Sequence, residues 1–99
     1  MTDNLISSLK ASLLNSHWPK CNQIADEIAS YNNQDAINAL IEALNNGKRH
    51  HIRTAAIKAL VNFDNADVVE QIKKCLNDPA YETRMEAKNA LKIMTDHEY

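Results

Sequence analysis

Leu76-Asn77-Asp78-Pro79, followed by Arg84-Met85-Glu86-Ala87-Lys88-Asn89-Ala90-Leu91, decides the fold. An earlier copy reads Leu44-Asn45-Asn46-Gly47, then Arg53-Thr54-Ala55-Ala56-Ile57-Lys58-Ala59-Leu60. Both contain Arg-x-x-Ala-x-x-Ala-Leu after an apolar run and a chain breaker. The arginines stand 31 positions apart. A period near 30 residues with helical apolar spacing signals stacked helical hairpins, each unable to bury its own face.

Working outward, the apolar spacing of three and four predicts six helices. Helix one covers about 3–15, with Leu5, Ile6, Leu9, Leu13 and Leu14 inward and a cap at Thr2, Asp3 or Asn4. Ser16-His17-Trp18-Pro19 breaks it, and Pro19 fits the first turn of helix two. There Cys21, Ile24, Ala25, Ile28 and Tyr31 form the stripe. Helix three covers about 36–45, capped by Asp35 and ended by Gly47 as a left-handed stop. Helix four covers about 50–63. Helix five covers about 68–77 with Asp67 as its cap. Helix six covers about 81–95, with Asp78 as cap and Pro79 at the first helical position. The expected fold is all-α, an α-solenoid of three stacked antiparallel helix pairs in one domain, with units at about 3–31, 35–63 and 67–95.

Composition agrees. One Gly, two Pro and 44% hydrophobic residues in 99 suit a small helical domain rather than a disordered chain. The net charge of −2 supplies no global field toward nucleic acid or an anionic membrane. Cys21 and Cys75 are distant in sequence and form no C-x-x-C pair, so two free thiols in a reducing compartment are expected. No basic, apolar leader and no run long enough to span a bilayer is present, which makes a cytoplasmic location the expectation.

These residues resemble the HEAT repeat family, especially its short bacterial branch, which includes phycobilin lyase subunits. Residues 37–94 carry the resemblance most fully. In that family an acid in the intra-repeat turn precedes an arginine by about six positions, as Asp78 precedes Arg84. The resemblance implies an inter-unit hydrogen-bonded ladder in which Asp78, Arg84 and Arg53 are structural. In unit two Asn46 stands at the place of the acid, one residue farther from Arg53. In unit one Cys21 takes the arginine place. The resemblance implies a solenoid and a binding role, and it carries no activity across, because one fold serves many functions.

Second helices line the concave side in such an array. Their outward positions are Asn22, Asp26 and Ala29, then Thr54, Lys58 and Val61, then Met85, Lys88, Asn89 and Lys92. The face grades from acidic to basic, which suits a partner protein with an acidic patch, Met85 adding adaptable apolar area. The ordinary alternative is a solvated helix face. Lys48-Arg49-His50-His51 is the densest basic run. It sits at the start of helix four, where the macrodipole disfavours cations, so local stability does not explain it. An anion or an acidic partner could dock there. Trp18 is expected to staple the first turn, or else to serve as an exposed anchor.

Chemistry is not indicated. Metal needs three or four convergent ligands, and on a helix His50 and His51 are expected to diverge by about 100°. His17 and Cys21 are the only sequence-local nucleophile pair, and the loop between them argues against catalysis. Arg53, Lys58, Lys88 and Lys92 without aromatic platforms would bind nucleic acid only weakly. The expectation is a non-enzymatic protein-binding scaffold or adaptor, without cofactor, membrane or catalytic residue, and monomeric because both end faces are polar. The alternatives are an accessory subunit or chaperone of a phycobilin-type lyase, and a weak nucleic-acid binder. Tetrapyrrole absorbance on co-expression would favour the first, and salt-dependent retention on DNA the second.

Overall fold

Alanine and leucine fill the helix interiors, and Gly and Pro fall only between helices, so the chain folds as a succession of helices and tight turns. The computed structural model describes residues 2–97 and Tyr99, and side chains from Leu5 onward except Glu98. The helices are α1 (Thr2–Leu14), α2 (Lys20–Ala29), α3 (Gln34–Asn46), α4 (His50–Leu60), α5 (Ala66–Lys74) and α6 (Tyr81–Thr95). A 3-10 turn, Cys75–Asn77, extends α5. Among the described residues there is no strand. The first helices α1, α3 and α5 stack in order, as do the second helices α2, α4 and α6. The body measures 39 × 25 × 18 Å.

Position α4 is central: it packs on α3 within its own unit and on α2 and α6 on either side. Ile52, Ala56, Ile57, Ala59 and Leu60 are wholly buried there. Alanine at these places lets neighbouring helices come close, while Leu13, Ile28, Leu40, Ile72 and Leu91 fill the space between units. Each such Leu or Ile contributes about 1.5–3 kcal/mol of burial.

The caps differ from expectation in a consistent way. Asn33, rather than Asp35, caps α3 by accepting from Ala36 N–H at 2.8 Å. Asn65, rather than Asp67, caps α5 by accepting from Asp67 N–H at 2.8 Å and Val68 N–H at 3.3 Å. Asp35 and Asp67 instead occupy the first helical turns, where an acid complements the macrodipole. The expected cap of α1 lies outside the described side chains. Pro19 stands at the cap position of α2, one residue before the helix. Asp78, three residues before α6 begins, accepts from Ala80 N–H at 2.9 Å, so Pro79 precedes the helix. Helix α4 stops at Leu60 because the next bonds tighten to three-residue spacing and Asn62 Nδ2 donates to Ala59 O.

Gly47 is not a left-handed stop. Its φ of −65° and ψ of 120° are open to any residue. Space is the reason for glycine: an added Cβ would lie 2.6 Å from Ala43 O and 2.9 Å from Ile52 Cγ2. Asp78, six residues before Arg84 as Gly47 is before Arg53, has nearly the same backbone angles yet carries a side chain. The preceding turn there is 3-10, and the Asp78 N–H meets Cys75 O, three residues back, whereas Gly47 N–H meets Ala43 O, four back.

Inter-unit junctions and the candidate interaction face

One Arg–Asp rung joins successive units, and its partners differ from the nearest match in sequence. Arg53 of unit two, not Arg84, grips the Asp78 carboxylate. Its Nε donates to Oδ2 at 2.7 Å and its Nη2 to Oδ1 at 2.9 Å, a two-pronged pair across the junction. Arg53 Nη1 also donates to Gly47 O at 2.9 Å. Arg84 makes the equivalent local bond, Nη1 to Asp78 O at 2.7 Å, and lies over the Tyr81 ring. The structural counterpart of Asp78 in unit two is therefore Gly47 rather than Asn46. The acid is missing there, as the arginine is missing from unit one.

The side chains of Arg53 and Asp78 are 15% and 7% exposed. Burial opposes ionisation of Asp78, but the hydrogen bonds from Arg53 and from Ala80 N–H outweigh it, and its pKa falls below the ordinary carboxylate value. The same bond raises the pKa of Arg53.

Other contacts bridge the units. Arg49 Nη1 donates to Ser16 O at 3.1 Å, tying the start of α4 to the α1–α2 turn. The buried Cys21 thiol reaches His51 O at 3.5 Å, and Thr83 Oγ1 reaches His50 O at 3.5 Å. The Thr54 and Thr83 hydroxyls are 3.1 Å apart. Lys10 pairs with Glu42 at 2.9 Å between α1 and α3.

These bonds place the sequence-derived candidates in two groups. The Lys48–His51 run is built into the junctions: the Arg49 guanidinium meets a carbonyl, Lys48 is exposed, and the two histidines are half-buried. The expected divergence of His50 and His51 is corrected. Their rings lie 3.9 Å apart between centroids, tilted 41°. Both side chains have swung to the same side at the first turn of α4. Glu82, which the sequence reading passed over, joins them: His50 Nε2 lies 3.6 Å from Glu82 Oε2. Trp18 is 63% exposed, so it does not staple the turn, and its ring lies 6.2 Å from that of His51.

The second group lies on α6. Met85, Lys88, Asn89 and Lys92 line a shallow groove of about 240 Å³ with Tyr99. Lys73 Nζ stands 5.6 Å from the Tyr99 ring, and His97 packs edge-on against it. Lys58 on α4 and Asp26 on α2 are exposed. Thr54 faces Thr83 and so belongs to a junction.

Neither thiol is set up as a nucleophile. Burial pushes both pKa values up, that of Cys75 to about 11 with the nearby Asp78 charge adding to the rise. Both cysteines are free and buried. No helix among the described residues is long and apolar enough to cross a membrane.

Three antiparallel pairs stacked through their second helices, with an Arg–Asp rung between units, define an α-helical repeat array. The sequence matches the HEAT repeats family over residues 6–98, and the chain belongs to that family. Comparison with curated proteins and with solved structures gave no match. HEAT repeats generally serve as protein-interaction scaffolds and are generally non-enzymatic.

Proposed function

We propose that this chain is a non-enzymatic adaptor whose second-helix face, ending in the α6 groove, takes an acidic segment of another protein. The observation that carries this is the grouping of Met85, Lys88 and Asn89 around one groove, with Tyr99 on its wall. In the repeat register Lys88 stands where unit two has Ile57, which is wholly buried. A lysine there turns a packing position into a charged, exposed one. Cations with adjacent Met and Tyr surface suit an acidic partner bearing an apolar anchor. Lys58 extends the basic face onto α4.

The test is cross-linking and capture from the native host with the wild-type chain, a Lys58→Glu/Lys88→Glu variant, and a Lys20→Glu/Lys74→Glu control. The proposal expects the face variant to lose a captured acidic protein that the control keeps. Equal capture by all three, with folding unchanged, would defeat it.

A further inference from the structure

His50, His51 and Glu82 present one donor atom each, and these atoms lie within 4.8 Å of one another. Two imidazoles and one carboxylate are a donor set for a borderline divalent ion such as Zn(II) or Cu(II). Donors around tetrahedral zinc stand roughly 3.4 Å apart, given bonds near 2.0–2.2 Å. The His50–Glu82 separation of 3.6 Å is close to this, and no donor pair is more than 4.8 Å apart.

The backbones that carry the donors are fastened. Thr83, next to Glu82, donates its hydroxyl to His50 O, so the first turns of α4 and α6 are held together. Cys21 holds His51 O from the other side. The donors therefore come from two successive units whose relative position is already fixed. A site assembled this way loses less conformational freedom on binding than one on a loop. The opposing forces are local. The start of a helix disfavours cations, and Lys48 and Arg49 add positive charge. The Glu82 carboxylate offsets part of this, and the Arg49 guanidinium is turned to Ser16 O.

We propose that His50, His51 and Glu82 form a three-ligand site for a divalent transition-metal ion, one that clamps unit two to unit three and leaves a fourth position for water or a partner's side chain. The proposal does not depend on the acidic-partner reading, because its readout needs no partner.

Trp18, the single tryptophan, stands 6.2 Å from the His51 ring and reports on a quenching ion there. The experiment titrates the full-length, chelator-stripped chain with ZnCl2 by calorimetry and with CuCl2 by Trp18 fluorescence at mildly alkaline pH. The expected result is one ion per chain and quenching that saturates at one equivalent. His50→Asn, His51→Asn and Glu82→Gln should each weaken zinc binding at least tenfold, while His17→Asn and His97→Asn stay within twofold. Should a histidine variant unfold, Glu82→Gln decides alone, because that side chain is 66% exposed and removing its charge does not threaten the fold. No calorimetric binding at hundreds of micromolar zinc would overturn the site. So would an affinity unchanged by Glu82→Gln, or one lost with His17→Asn or His97→Asn.

Discussion

Arg53 and Arg84 hold the same repeat position, yet replacing them by methionine should have very different consequences. Arg53→Met leaves the Asp78 carboxylate 7% exposed with only the Ala80 N–H still bonded to it. Removing one member of a buried pair costs about 3–5 kcal/mol. Arg53 itself is 15% exposed, so the lower end, about 3 kcal/mol, applies. Arg84→Met removes one charge-assisted bond to a carbonyl, which solvent screening of the half-buried side chain reduces to about 0.5–1.5 kcal/mol. In a domain of this size 1 kcal/mol shifts Tm by about 4–8 °C. Arg53→Met should therefore melt about 12–24 °C below wild type, and Arg84→Met about 2–12 °C below. Urea unfolding followed by far-ultraviolet dichroism at neutral pH measures both. A double-mutant cycle of Arg53→Met with Asp78→Asn should then return a coupling of about 1.5–3 kcal/mol, as for a charge-assisted bond. Equal losses for the two arginine variants, or a coupling near zero, would refute the assignment of the rung to Arg53.

The same rung makes stability acid-sensitive. Because the folded pKa of Asp78 is depressed, its contribution is fully present above the unfolded value of about 3.9. It is lost as pH falls through the folded value, so Tm should fall more steeply below about pH 4 in wild type than in Asp78→Asn. Gly47→Ala should destabilise by about 1–3 kcal/mol through overpacking against Ala43 O and Ile52 despite its ordinary φ; a neutral result in urea unfolding would show that the turn yields freely. Cys75, with its pKa raised to about 11, should react with a disulfide reagent near pH 8 only as fast as the domain opens, and a fast native-state reaction would contradict its burial.

Helix positions, the pairing of helices and the buried Ala and Leu ladder were legible in the sequence because a fixed period and a fixed apolar stripe express the same stacking. The bounds of α6 were read without error, with Asp78-Pro79 marking its start. Turn chemistry was harder. At each cap an acid competed with an asparagine two residues earlier, and the asparagines won where extended backbone preceded the helix. Gly47 was given a left-handed role because glycine usually signals one, whereas the contact that demands it comes from Ile52 across the turn and from a carbonyl of the preceding helix.

The junction residues were missed for another reason. In stacked second helices the neighbours of a residue lie about one period away in sequence. Glu82 is 31 positions after His51, and Thr83 is 29 after Thr54. A pairwise reading at that offset would have found both contacts, whereas a search within each helix could not. The side-chain swing that brings His50 beside His51 has no counterpart in the sequence, because helical spacing fixes Cβ directions and not the torsions beyond them.

Helix α4 is held from both sides by α2 and α6, and neither neighbouring unit is expected to be stable without it. Amide hydrogen exchange of the full chain, followed residue by residue, tests this directly. Ala55, Ala56, Ile57 and Ala59 should exchange most slowly, at a rate set by global unfolding, while α1 and α5 open earlier. Exchange in α4 as fast as in α5, or an α5–α6 pair that stays protected after α4 has opened, would contradict it.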